Sequence, residues 1–265
     1  MTSQKLAALI RVKSLEMVYR ARASHIGSAL SIADILAVLY GEVMNFPAMD
    51  PEADTRDRFI LSKGHACVAN YAALGAIGTL NEEELKTYGE DFSPLMNHIS
   101  HKVSGVEFST GSLGHGLPFG VGKALSAQLS KQSWRTFVLV GDGEMQEGSN
   151  WEALMFAAHH NLNNLCLIID YNNLQSLTTV EDTLSLMSLD DKVRAFGWEV
   201  RVVDGHDHRQ LHKALLERSE GPLCVICKTV KGKGVSFMEN QVSWHYSPPN
   251  TEQLESAIEE ILNAK

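Results

Sequence analysis

A chain of 265 residues with 44% hydrophobic and 21% charged residues is long enough for a sizeable core and has an ordinary globular balance. Its net charge of −9 comes from scattered acidic residues, which argues against a nucleic-acid surface, and no apolar run approaches the ~20 residues of a membrane span. The four cysteines, Cys67, Cys166, Cys224 and Cys227, make no paired zinc motif, and a reducing cytoplasm is the expected home.

Along the chain, MTSQKLAALIRVKSLEMVYR sets charges inside an apolar helical period and predicts an amphipathic helix, not a signal peptide. Strands are predicted at Arg58–Leu61, Thr136–Val140, Leu165–Asp170, Glu199–Val203 and Leu223–Lys228, with helices between them. Asn81 with Glu84 and Ser149 with Glu152 have the spacing of capping boxes, and Asp207 is placed to cap HRQLHKALLERS. Between the first two strands, STGSLGHGLPFGVG at 109–122 reads as a glycine-rich loop. CLIID and CVICK are continuously apolar, which suits a parallel sheet covered on both faces. In CVICK, Cys224 and Cys227 are three apart and face opposite sides of a strand, a poor chelate. The expected fold is a doubly wound, mostly parallel α/β sheet with helices on both faces, one domain over 1–265.

Such sheets bind ligands outside the carboxyl ends of their strands. GDG at 141–143 and DYNN at 170–173 both stand there, as do SKGHA after Leu61 and DGHD after Val203. Magnesium prefers hard oxygen ligands, one or two from protein and the rest from phosphate and water. Asp142 offers a charged oxygen, Asn172 an amide oxygen, and the Leu174 carbonyl a third. Gly141 and Gly143 let the main chain approach a phosphate, and a helix starting near Ser149 would aim its positive end the same way. No G-x-G-x-x-G follows a strand into a helix, and no Walker loop is present. Among eleven histidines, His208 and His212 read as a solvated helix face, His159 and His160 as residues closing a helix, and His115 as a group near the glycine loop.

GDG followed some thirty residues on by NN resembles the thiamine diphosphate signature, and the wider sequence resembles the amino-terminal half of transketolases. SHIGSALSIADILAVLY at 24–40, DRFILSKGHACVANYAALG at 57–75, GVEFSTGSLGHGLPFGVGKAL at 105–125, VVDGHD at 202–207 and CKTVKGKGVSF at 227–237 carry the resemblance in order along nearly the whole chain. The resemblance implies thiamine diphosphate with magnesium, or another divalent cation such as calcium or manganese, held by Asp142, Asn172 and the Leu174 carbonyl. It implies that Gly143, His65 and His245 meet the diphosphate, and that Gly111 to Leu113 meet the aminopyrimidine. His25 and His98 would face the reacting carbon and the sugar hydroxyls, with His101 as a substitute for His98 because the chain is one residue short there. Glu147 and Glu152 match acidic positions near a subunit contact that would link two cofactor sites, and the resemblance implies that they are catalytic together with His25, His98 and His245.

The resemblance also implies a partner. The sequence runs to Lys265 through TEQLESAIEEILNAK, and the expectation is that the pyrimidine-binding domain, which supplies the glutamate that activates the cofactor, lies on another polypeptide. The expectation is the amino-terminal subunit of a split transketolase, joined to a separately encoded carboxyl-terminal subunit in a heterotetramer with two copies of each. It would transfer a two-carbon ketol unit from a ketose to an aldose. The alpha subunit of a 2-oxo acid dehydrogenase shares the GDG–NN signature, and a non-catalytic thiamine diphosphate-binding module is the alternative from a different class. No nucleic acid or membrane is expected as a partner.

Overall fold

A computed structural model of the chain describes residues 1–263. Five strands, β1 (Arg58–Leu61), β2 (Thr136–Gly141), β3 (Leu165–Tyr171), β4 (Glu199–Asp204) and β5 (Leu223–Lys228), form one sheet in the order β1-β2-β3-β5-β4. All neighbouring pairs are parallel. Three of the strands run one residue beyond their predicted carboxyl ends, and the register pairs Gly141 with Asp170, so the two loops of interest leave the sheet side by side.

The continuous apolar strands are explained by helices on both faces. Successive β3 residues alternate between two cores: Cys166 and Ile168 face one, Leu165, Leu167 and Ile169 the other. Cys224 and Cys227 fall in opposite cores, as a period of two requires. The first core is built by helices α1 (Ser3–Ala21), α2 (Ile26–Ser31), α3 (Ala33–Val38), α4 (Cys67–Ala76) and α5 (Glu82–Lys86), with later helices added below. The second is covered by α6 (Gly116–Leu129), α7 (Gly148–His159), α8 (Val180–Leu184) and α9 (Leu189–Ala195). Helices α10 (His208–Leu216) and α11 (Thr251–Asn263) complete the first face.

The capping expectations divide. Asn81 and Glu84 form a full capping box, and Asp207 accepts from the backbone N–H of Arg209 and Gln210. The Ser149–Glu152 box does not form. Helix α7 begins at Gly148 with Glu147 at the cap position, two residues before the expected cap, so Ser149 lies inside the first turn, where its Oγ donates to the Gly114 carbonyl at 2.7 Å. The second half of the expected glycine loop is helical instead. Gly116 and Gly120 sit where α6 touches the sheet, and a Cβ would lie 2.4 Å from Ser62 Cβ at the first and 2.4 Å from Val138 Cγ2 at the second. Those glycines serve close packing, which residue type alone does not distinguish from loop flexibility.

His208 also departs from expectation. It turns inward and meets Asp34 Oδ1 through Nε2 at 3.0 Å. Arg11 grips the same carboxylate with both terminal nitrogens, and His206 Nδ1 meets Asp34 Oδ2 at 2.7 Å. His206 Nε2 accepts the Val230 N–H, so its proton sits on Nδ1 and is donated to Asp34. Burial would raise the pKa of Asp34, but Arg11 and the two histidines hold it well below the usual range. This pairing ties α1, α3 and α10 together. Asp34→Ala, which strands a buried guanidinium, should lower unfolding free energy by about 3–5 kcal/mol in urea titration. A loss within ~0.5 kcal/mol, the range of surface substitutions, would show that the cluster contributes little.

Candidate cofactor and metal site

At the carboxyl ends of β1, β2 and β3 lies a cavity of about 290 Å³. Its floor is the pair of loops after β2 and β3. Asp142 is nearly fully buried and anchored by two backbone donors, Gly143 N to Oδ1 at 2.7 Å and Asn173 N to Oδ2 at 2.5 Å. Asn172 donates its amide N–H to Asp170 Oδ2 at 3.0 Å and to Ser31 Oγ at 3.2 Å, which fixes which end of the amide is oxygen. That oxygen accepts from Leu174 N at 3.1 Å. Asp142, Asn172 and Leu174 all line the cavity, and carboxylate, amide and main-chain carbonyl oxygens are the hard donors that magnesium takes.

The charge around this floor is arranged in layers. Asp170 is fully buried at the end of the central strand; burial would raise its pKa, but Lys63, with Ser31 and Thr229 donating, holds it low. Asp142 goes the other way, pushed up to about 6 by burial first and by the nearby Asp170 charge second. A second lysine, Lys231, donates to the carbonyls of Leu174 at 3.2 Å and Gln175 at 2.8 Å. Burial and the neighbouring Lys63 charge lower its pKa to about 8. The buried Gln175 Nε2, a cavity-lining donor, has no hydrogen-bond partner among the described residues. Two lysines and an unsatisfied donor beside a buried carboxylate suit an anionic group that arrives with a cation.

Above the floor stand four histidines. The His25 ring lies 5.3 Å from His65, 5.6 Å from His98 and 4.9 Å from His245, centroid to centroid. His25 has φ 75, a left-handed conformation uncommon for a residue with a Cβ, and its N–H donates to the His245 carbonyl at 2.7 Å. Burial, then the charge of neighbours, lowers the pKa of His25 to about 4 and that of His245 to about 3, and takes His65 well below the usual value. Lys231 Nζ donates to His245 Nδ1 at 3.1 Å, so the ring hydrogen of His245 is on Nε2.

The structure therefore brings His25, His65, His98, Gly111, Leu113, Asp142, Gly143, Asn172, Leu174 and His245 to one cavity. His98, not His101, reaches it; His101 is exposed and bonded to Ser109. His115 is exposed at the start of α6 and does not line the cavity. Glu147 and Glu152 are exposed at the start of α7, outside the cavity, because a short turn of helix at Gly143–Gln146 separates α7 from the floor. For the same reason the first turn of α7 does not line the cavity. Sequence reasoning missed Ser28, Lys63, Glu144, Gln175, Ser176, Lys231 and Tyr246 as lining residues. Lys63 stands in SKGHA and Lys231 in TVKGKG, but a single lysine reads as a surface residue unless its burial is known.

The fold and this cavity define an α/β domain with a polar, lysine-bearing cavity at the strand carboxyl ends. The chain belongs to the transketolase family: residues 2–261 match the family described as "Transketolase, thiamine diphosphate binding domain". It is 41% identical over 254 residues to an apulose-4-phosphate transketolase subunit of Phocaeicola vulgatus, covering 95% of this chain and 90% of that one. It is 36% identical to a 6-deoxy-6-sulfo-D-fructose transketolase subunit of a Clostridium species, covering 97% and 95%. Human transketolase is 37% identical, with 98% of this chain aligned to 43% of that protein. The crystal structure of Campylobacter jejuni transketolase superposes with a TM-score of 0.93 at 32% identity, over 98% of this chain and 42% of that one. The chain thus spans less than half the length of these larger transketolases.

The histidine wall makes a spectroscopic prediction. In the isolated chain, the ring protons of His25 and His245 should show no titration near 6.5, where an ordinary imidazole changes charge, and should move only toward about 4 and about 3. A proton NMR titration with single His→Gln variants for assignment checks this. A midpoint near 6.5 for either ring would mean that it is not enclosed as described.

Proposed function

We propose that the chain is the amino-terminal subunit of a two-component transketolase, transferring a two-carbon ketol unit from a ketose phosphate to an aldose phosphate with a separately encoded carboxyl-terminal subunit. The observation that carries the reading is that four histidines line one cavity with the Asp142 carboxylate, the Asn172 amide and two lysines. The subunit names of the near-full-length relatives support the partner.

In this reading Asp142, Asn172 and the Leu174 carbonyl hold a divalent cation, magnesium first. Gly143, His65 and His245 hold the diphosphate, and the main chain from Gly111 to Leu113 meets the aminopyrimidine. When bound, thiamine diphosphate supplies the nucleophilic carbon and electron sink for carbon–carbon cleavage. This chain's task is to orient and to handle protons. His25 and His98, uncharged, can accept a proton from a sugar hydroxyl, and His245 can donate from Nε2 because Lys231 occupies its other nitrogen. Glu147 and Glu152, exposed on the outer surface, would meet another subunit in this reading. The assembly proposed is a heterotetramer with two copies of each subunit, in a reducing cytoplasm that keeps the four buried cysteines unpaired.

A ring of imidazoles suits a polyhydroxylated sugar better than a 2-oxo acid. The test is reconstitution with the partner subunit, thiamine diphosphate and magnesium, offering fructose 6-phosphate or pyruvate. Consumption of the ketose only with both subunits present is expected. Consumption of pyruvate instead would favour the 2-oxo acid dehydrogenase class, and tight cofactor binding without any turnover would favour a non-catalytic module.

Metal binding has its own prediction. Asp142 must be ionised to hold a cation, and its pKa is pushed up to about 6, so cofactor affinity should fall as pH drops through about 6. Asp142→Ala should abolish magnesium-dependent cofactor binding. Calorimetry across this pH range checks both, and unchanged binding by the variant would overturn the metal assignment.

A further inference from the structure

Glu144 has no part in the reading above, yet it is 1% exposed and lines the cavity. A buried carboxylate needs donors, and this one takes them from three different segments. Ser62 Oγ and Gly114 N donate to Oε1, the latter at 2.9 Å, and Gly141 N donates to Oε2 at 3.2 Å. Ser62 Oγ in turn accepts from Gly116 N at 3.1 Å.

Each segment leads directly to a different part of the site. Ser62 precedes Lys63 and His65, Gly114 follows Gly111 to Leu113, and Gly141 precedes Asp142 and Gly143. The joint is tight at its second member. Gly114 has φ +83, and a Cβ there would stand 2.6 Å from Ser149 Oγ and 2.7 Å from Glu147 Cβ. The Glu144 main chain is held as well, its carbonyl accepting from Asn150 Nδ2 at 2.7 Å.

We propose that Glu144 is a positioning residue: its carboxylate sets the spacing between the 111–113 segment and the 142–143 turn, which hold opposite ends of the cofactor. The proposal rests on the thiamine diphosphate reading. A ligand that spans both segments depends on that spacing, whereas inorganic pyrophosphate occupies the diphosphate end alone.

The test compares thiamine diphosphate with magnesium pyrophosphate, by calorimetry on the assembled two-subunit complex, for the wild type, Glu144→Ala and Glu144→Gln. The alanine variant should bind thiamine diphosphate at least about tenfold more weakly, the scale of a lost hydrogen bond to a buried charge, while pyrophosphate changes less than about twofold. The glutamine variant can keep the Ser62 and Gly114 donors on its oxygen but turns an N–H toward Gly141, so its loss should be smaller with the same selectivity. If Glu144→Ala does not assemble, Glu144→Gln reads the same ratio. Equal weakening of both ligands would show a merely structural role, and no change in either would remove the role; both overturn the proposal. Binding is read without turnover, so a wild type that binds thiamine diphosphate but transfers no ketol unit would defeat the transketolase reading and leave this one standing.

Discussion

Asp170 carries a charge where water does not reach, and the site is organised around satisfying it. It ends the central strand β3, and its oxygens receive Lys63 from the loop after β1, Ser31 from α2, Thr229 from the loop after β5, and the amide of Asn172 two residues on. An unpaired buried carboxylate is strongly unfavourable, so these partners are held in place by the same energy that would otherwise oppose folding. The consequence for function is geometric. With its N–H groups committed to Asp170 and Ser31, the Asn172 amide has its oxygen in a fixed place beside Asp142, and Lys63 stands at the cavity with its cation already in position.

The parallel register extends this order outward. Because Gly141 pairs with Asp170, the two floor loops emerge adjacent, and because β5 lies on the other side of β3, the loop carrying Lys231 reaches back over Leu174 and Gln175 to His245. His245 then receives the His25 N–H on its carbonyl. A chain of contacts therefore runs from the sheet through Lys231 to the histidine wall, and burial along it keeps the rings uncharged. A second buried carboxylate, Asp34, braces the helices behind this wall, and His206 links it to Val230, next to Lys231.

Much of this was legible in the sequence because it rests on short-range pattern. Continuous apolar runs identify β3 and β5, and GDG and DYNN mark the loops after β2 and β3 through residue types that favour tight turns. What was not legible depends on which partners meet across the fold. The Ser149–Glu152 spacing is that of a capping box, but α7 begins at Gly148, so Ser149 sits inside the helix and its Oγ donates to Gly114 instead. His208 looked like a solvated residue until α10 was placed against Asp34. Lys63, Glu144 and Lys231 act through burial, and burial of a lone charged residue leaves no local trace in the sequence.

The central claim is that this chain is one part of a cofactor site completed by another polypeptide. The most direct test is the native mass of the chain, tagged and purified gently from its own cells. The account predicts a second polypeptide in equal amount, in a particle with two copies of each. A chain that emerges alone, and binds thiamine diphosphate as tightly alone as in its cell extract, would contradict it.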